Sequence, residues 1–302
     1  WHHHFQMKVE NLSDLRLLLR VAETGTLTAA AKALGITPAA ASAGLKRLEA
    51  QLGARLFERS TRALRATPQG QTLVDYAQRA IDLLEEGEAQ LDADRTALVG
   101  TLRVAAPSDL TRGVLLPLLD AFLAEHPGLQ LALSISDRPA DVMRDEVDVA
   151  VRYGPLADSR LVARRLADAR PLVCAAPAYL ARHGVPTHPQ DLVRHNCLTF
   201  HRNGQRHRQW RFGQNGQWII VRVAGDRNAN DAALVRQWAL AGAGITFKSS
   251  LDLRHDIASG ALVPLLTDWQ TEPYPLHALL PSGRFIPARV RALVDYLAGA
   301  LG

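Results

Sequence analysis

The sequence predicts a multidomain α+β and α/β chain: a winged helix-turn-helix at the N-terminus, a long linker helix, and an α/β region behind it. Three observations predict this. Two short helical patterns meet at Gly35, a Leu/Ala seam runs from Leu73 to Leu91 beneath an acidic face, and from Thr101 apolar strand-like runs alternate with helical ones.

The head comes first. Ala29 to Leu34 are strong helix formers, and Gly35 supplies the left-handed residue that ends a helix in a sharp turn. Thr37 suits an N-cap and Pro38 the first helical position, where its missing N–H costs nothing. Leu45, Leu48 and Leu52 then give the second helix one apolar face. Thr37, Ser42, Lys46 and Arg47 are left nearer its start or open side, and Ala39, Ala40, Ala41, Ala43 and Gly44 keep it slim enough for a major groove. The plain alternative is an Ala-rich helical hairpin of an ordinary bundle.

The flanks favour DNA. Arg55, Arg59, Arg62 and Arg65 recur through LFERSTRALRAT, where Leu56, Phe57 and Leu64 can pin a small hairpin with the arginines outward, suited to phosphate or minor-groove contact. Lys8 to Thr67 holds ten Lys/Arg against five Asp/Glu, whereas Pro68 to Leu98 holds two against seven. The basic face is therefore local, which says more than the chain's net +5.

Beyond the wing, Leu73, Ala77, Ala80, Leu84, Gly87 and Leu91 recur at spacings of four and three, a coiled-coil seam, with Glu85, Glu86, Glu88, Asp92 and Asp94 on the solvated side. The reading is a dimer-forming linker helix; the alternative is one amphipathic helix packed on its own domain. From Thr101, TLRVAAP, LQLALSIS, VDVAVRYG, PLVCAAP, NCLTF, WIIVRV, GITF and PLHALLP read as strands, several of them of the apolar kind buried in parallel sheets. LLPLLDAFLAEH, ADVMRDE, DAALVRQWALAGA and PARVRALVDYLAGAL read as helices, and HRNGQRHRQWR as a solvated loop before a strand.

Leu12 to Gly70 resembles the DNA-binding head of the LysR-type transcriptional regulators. The carriers are Ala30-Ala31 before Leu34, Leu48-Glu49, Leu52-Gly53, Leu56-Phe57-x-Arg59 and Thr67-x-x-Gly70, and the resemblance continues to the C-terminus. It departs where family members often carry polar residues and this chain has Pro38, Ala43 and Gly44. The resemblance implies a winged head over 7–66, a dimerising linker helix over 67–98, and a two-subdomain effector domain of periplasmic-binding-protein type over 99–302. Its first subdomain would be 99–168 with 270–302 and its second 169–269, with crossings near Leu166–Pro171 and Leu266–Pro275.

The implied function is a cytoplasmic homodimer or homotetramer that binds a pseudo-palindromic promoter site on double-stranded DNA, works with RNA polymerase, and responds to a small-molecule effector, an organic or aromatic acid, in the cleft. The DNA contacts fall to Thr37, Pro38, Ser42, Lys46, Arg47, Arg59, Thr61 and Arg62. The alternatives are a ligand-independent repressor whose cleft is filled by its own side chains, or an enzyme on the α/β region.

The candidate effector residues lie at strand ends. Ser108 follows a strand and opens a helix, where a hydroxyl and backbone N–H groups can receive a carboxylate; its plain role is an N-cap. Arg152 ends VRYG and faces the cleft or pairs with an acid such as Asp148. His201, Asn230, Phe247 and Lys248 stand at three strand or loop ends that an open sheet brings to one edge. Asn230 or Asp231 also suits a helix cap, and Lys248 either neutralises an acid or is a solvated loop lysine.

Composition narrows the classes. No apolar run reaches the length of a membrane span and no secretory signal is present, so no membrane role is expected. Trp1 to Gln6 reads as a tag remnant. Cys174 and Cys197 sit in apolar strand contexts that favour buried, inert thiols over a redox pair, and His195, Cys197, His201 and His207 match no compact zinc spacing. There is no Gly-rich phosphate loop, G-x-S-x-G elbow or His-Glu-x-x-His run; neither enzyme activity nor a cofactor or metal is expected.

Overall fold

The computed structural model describes residues 8–59, 64–91, 98–137, 147–154, 161–202, 205–281 and 286–302. The chain divides into two compact units between Thr96 and Ala97.

The first unit is helical with a small hairpin. Helix α1 (Leu12–Thr24) is capped by Asn11, α2 (Leu27–Leu34) by Thr26 and α3 (Pro38–Leu52) by Thr37; Gly25, Gly35 and Gly53 end them in the left-handed region. Strands β1 (Phe57–Arg59) and β2 (Leu64–Ala66) pair antiparallel, and α4 (Pro68–Leu91) follows. Leu17, Leu18, Val21, Ala30, Ala31, Leu45, Leu48, Leu56 and Phe57 form the core, with Ala77 of α4 packed into it.

In the second unit the chain runs β3 (Gly100–Ala106), α5 (Ser108–Leu110), a π-helical turn (Thr111–Leu115), α6 (Leu116–Glu125), β4 (Leu129–Ile135), β5 (Val149–Tyr153) and β6 (Leu161–Ala167). It crosses to β7 (Pro171–Ala175), α7 (Pro177–His183), β8 (Thr199–Arg202), β9 (Gln205–Arg206), β10 (Gln209–Gln214), β11 (Gln217–Arg222), β12 (Asn228–Ala229), α8 (Ala232–Leu240), β13 (Thr246–Ser249), α9 (Ser250–Ala258) and β14 (Val263–Leu265). It then returns as β15 (Leu276–Pro281) and α10 (Ala288–Leu301).

Strands β4-β3-β5-β15-β6 make one five-stranded sheet, so the last strand of the chain lies inside the first subdomain. Its core gathers Leu102, Val104, Leu119, Phe122, Val149, Val151, Leu276 and Ala278 with Val290, Leu293 and Leu297 of α10. The second subdomain holds three smaller sheets, β13-β7-β14, β12-β8-β9 and β10-β11.

Three sequence expectations are corrected. The sheets are mixed: β3 pairs parallel with β4 and β5, but β15 and the partners of β7 run antiparallel. The run HRNGQRHRQWR is not all loop: His201 and Arg202 on β8 pair with Arg206 and Gln205 on β9, and the run enters β10 at Gln209, while Asn203 and Gly204 lie outside the described residues. The strand LVARRLA, read as no element, is β6, an edge strand whose Val162 to Arg165 are exposed and therefore carry no apolar alternation. The segment ADVMRDE lies outside the described residues.

Candidate functional site

In the head, α3 sorts its residues by what they touch. Thr37, Pro38, Ala39, Ala40, Ala43, Lys46 and Arg47 are exposed, Ser42 is half-buried, and Ala41, Gly44, Leu45 and Leu48 are buried. The hydroxyl oxygen of Thr37 accepts the Ala40 N–H at 3.2 Å, which fixes where the helix begins. The small residues have two causes. Ala39, Ala40 and Ala43 keep the open side low, whereas a Cβ on Gly44 would stand 2.9 Å from Leu17 Cδ2 and 3.3 Å from Asp14 Oδ1, so Gly44 lets α1 and α3 touch. Gly44 is thereby corrected from a groove-facing position to a packing one.

Arg47 also has structural work. Its Nε donates to Asp14 Oδ2 at 2.9 Å and its Nη2 to Oδ1 at 2.5 Å, a forked pair that satisfies a buried carboxylate on α1. A guanidinium held this way is half-exposed and already engaged at its fork.

The motif residues that carried the resemblance hold the fold. Glu49 Oε1 accepts the Leu56 and Phe57 N–H groups at 2.8 and 3.3 Å, fixing the entry to the wing. Thr67 Oγ1 donates to Arg55 O at 2.8 Å and accepts the Gly70 N–H at 3.0 Å, and a Cβ on Gly70 would lie 1.9 Å from Leu56 O. Arg59 ends β1 and Arg65 is exposed on β2. Thr61 and Arg62 lie outside the described residues.

Along α4, Leu73, Val74 and Ala77 are used by the head's own core. The exposed apolar stripe is Tyr76, Ala80, Leu83, Leu84 and Gly87. The seam read from the sequence thus splits, its first half intramolecular and its second half open; the Leu91 side chain lies outside the described residues.

In the second unit, both subdomains contribute to one polar cluster at the carboxyl ends of β3, β4 and β5. Ser108 is buried; its hydroxyl lies 2.6 Å from Asp137 Oδ2 and 2.9 Å from Asp231 Oδ1. Asp231 caps α8 by accepting the Ala233 and Leu234 N–H groups at 2.9 and 3.2 Å. Burial pushes the Asp231 carboxyl up, but the Ser108 hydroxyl, these N–H groups and Arg112 outweigh it and hold it below the ordinary value. Asn230 beside it is exposed, so of the two candidate caps Asp231 serves.

Lys248 is not a solvated lysine. Its Nζ stands 2.6 Å from Asp109 Oδ2 and donates to Ala232 O at 2.8 Å, with the side chain 8% exposed. Its charge is already matched inside the protein, which corrects its reading as a free counter-charge for an acid. Arg236 forks onto Asp256 at 2.6 and 2.8 Å and stands 3.5 Å from Asp109. The Tyr153 hydroxyl of the first subdomain donates to Asp252 Oδ1 of the second at 2.7 Å. Burial lifts Asp252 to about 7 against the pull of Lys248. Burial likewise raises Asp109, opposed by Lys248 and Arg236.

Arg152 Nη1 donates to Ser136 O at 2.8 Å, anchoring the residue before Asp137. Phe247 stacks on Trp210 with ring centres 5.0 Å apart and meets Phe212 at 5.7 Å. His201 is half-buried on β8, and its Nδ1 has no hydrogen-bond partner among the described residues. Asp109, Asp137, Tyr153 and Asp252 were missed by sequence reasoning. Asp137 had one signal, as the first residue after the strand LQLALSIS; Tyr153 ends β5, and Asp109 and Asp252 are internal to helices. Both cysteines are buried, and burial pushes each thiol up to about 12.

Comparison with known proteins agrees with this arrangement. Residues 12–71 match the bacterial regulatory helix-turn-helix protein, lysR family, and residues 95–302 match the LysR substrate binding domain. The HTH-type transcriptional regulator PtxR of Pseudomonas aeruginosa is 34% identical over 97% of this chain and 93% of its own. DmlR of Escherichia coli, an HTH-type transcriptional regulator, is 32% identical over 95% and 93%. Among solved structures, CrgA of Neisseria meningitidis, a LysR-type transcriptional regulator, superposes with a TM-score of 0.64 at 32% identity, covering 97% of this chain and 100% of its own. With the helix-turn-helix head and the substrate binding domain both matched, the chain belongs to the LysR-type transcriptional regulator family.

Proposed function

We propose that this regulator reads a pseudo-palindromic promoter site as a two-fold homodimer, or as a tetramer of such pairs, in the cytoplasm and in concert with RNA polymerase. The observation that carries the DNA reading is the exposed row Thr37, Pro38, Ala39, Ala40, Ala43 and Lys46 on α3, with Ser42 half-buried beside it and the basic wing following. Lys46 and the wing arginines Arg59, Arg62 and Arg65 take phosphates, Thr37, Ser42 and Thr61 offer hydroxyls, and the alanine methyls suit thymine. Arg47 contributes by holding α3 against α1, with its outer edge left for a phosphate.

The α/β region works as a sensor and not as an enzyme. Its effector is an organic or aromatic acid, received where Ser108 and the first N–H groups of α8 converge, with Arg152, His201, Asn230, Phe247 and Lys248 around that seat. The paired charge of Lys248 leaves neutral donors to hold the acid, and Phe247 with Trp210 offers an aromatic wall. The filled cluster also supports a second reading, a repressor that needs no ligand.

Anisotropy titrations over a salt series test the DNA half. Lys46→Ala weakens binding on all sequences and lowers the salt slope by about 1, whereas Ser42→Ala costs about 1–3 kcal/mol at particular base positions. An unchanged slope and unchanged preference would remove α3 from the interface. For the effector half, organic acids that raise the melting temperature of the wild type and not of Ser108→Ala support the seat, and no shift with any acid favours the ligand-independent repressor.

A further inference from the structure

The contacts between the two subdomains are not equivalent. Asp109 meets Lys248 and Arg236, and Tyr153 meets Asp252, all side chain to side chain across the subdomains; Asp137 instead takes backbone N–H groups on both sides at once. Its Oδ1 accepts the Ser108 N–H at 2.9 Å in the first subdomain. Its Oδ2 takes the Ser108 hydroxyl at 2.6 Å and also the Ala232 N–H, the first of α8 in the second subdomain, at 2.7 Å. The opening turn of a helix leaves N–H groups that need acceptors and favour negative charge. Asp231 satisfies Leu234 from within its own subdomain and shares the Ala233 N–H with the Ser108 hydroxyl oxygen, which accepts it at 3.2 Å, while the Ala232 N–H is satisfied wholly from across the cleft. The α8 N-terminus is therefore capped by two carboxylates, one from each subdomain. Arg152 holds Ser136 by its carbonyl and so fixes the base of the Asp137 side chain.

We propose that Asp137 is the latch of the cleft: its carboxylate holds the two subdomains together when no effector is bound, and an acid effector acts by competing for Ser108 and Ala232. The competition rests on the carboxylate reading of the cleft given above; the latch itself does not. Parting the subdomains exchanges the carboxylate on the Ala232 N–H for water, a weaker acceptor, so the closed arrangement is favoured until another anion takes that place. An entering acid binds only the fraction of molecules whose latch is open, and its apparent affinity is lowered by that fraction.

Hydrogen–deuterium exchange on the ligand-free full chain tests the latch. Asp137→Ala accelerates exchange at least about tenfold in the peptides containing both Ser108 and Ala232, with β7 and α10 unchanged as evidence of an intact fold, and Asp137→Asn gives a smaller increase. Equal exchange in Asp137→Ala and wild type, or acceleration confined to one of the two peptides, overturns it. Calorimetry with benzoate as the probe tests the competition. Asp137→Ala binds it about tenfold tighter than wild type, and adding Ser108→Ala abolishes the gain. Equal affinity overturns the competition. Binding to neither protein withdraws the carboxylate reading of the cleft, while the exchange result still decides the latch.

Discussion

At Gly44 and Gly70 a methyl group would strike a neighbour, and at Arg47 a forked guanidinium answers a buried acid. Gly44→Ala forces Leu17 and Asp14 aside, and overpacking of this kind costs about 1–3 kcal/mol, read as a lower denaturant midpoint. Arg47→Ala leaves the Asp14 carboxylate buried without its donors and lowers the denaturant midpoint; an unchanged midpoint would show that the pair does not hold α1 to α3. Asp252 sets a pH dependence. Its folded value of about 7 lies above the ordinary 3.8, so the native state holds a proton that the unfolded chain releases, and stability falls as pH rises from near 4 to near 7. Above that window both states are ionised and the loss is complete. Asp252→Asn, which still accepts the Tyr153 hydroxyl, removes this slope, up to about 1.4 kcal/mol per pH unit, and melting curves between pH 5 and 8 would show an unchanged slope if Asp252 were not the group responsible.

At the scale of elements, α4 carries the clearest prediction. Tyr76, Leu83 and Leu84 are large and exposed in the single chain, whereas Ala77 is enclosed by its own head. Leu83→Asp or Leu84→Asp therefore yields monomers in sedimentation at unchanged helicity, while a variant that stays dimeric would move the dimer contact elsewhere. The elements legible in the sequence are those whose signals are local. Thr37 before Pro38 and glycines after Leu34 and Leu52 mark the helix ends directly, and Ser108 opens its helix where the strand ends. Strands β6 and β10 were not legible, because four successive residues of β6 face solvent and β10 is held by hairpin pairing with β11. The polar cluster was half legible for the same reason. Ser108 and Asp231 stand at element ends that a sequence marks, whereas Lys248, expected after a strand, lies within β13 opposite Leu172; that Lys248 meets Asp109 and Ser108 meets Asp137 is decided by the crossing of two subdomains.

For the molecule as a whole, the exposed basic head and the substrate-binding-type α/β region lie in separate units, and the family joins them in one regulator. Near-complete switching of such a sensor needs about 5.5 kcal/mol of differential effector affinity between its two states, and a tenfold preference supplies only about 1.4 kcal/mol per site. A dimer or tetramer with several coupled sites closes part of that gap. Reading of sequence by α3 and the wing is the proposal on which the regulator's specificity rests. Its most direct measurement is selection of bound fragments from the host genome by the purified chain, followed by footprinting across a salt series. The expected result is protection of a pseudo-palindrome whose two halves lie on one face of the duplex, separated by one helical turn or a multiple of it, and persisting as salt rises. Fragments bound without preference, with binding that vanishes as salt is raised, would contradict it.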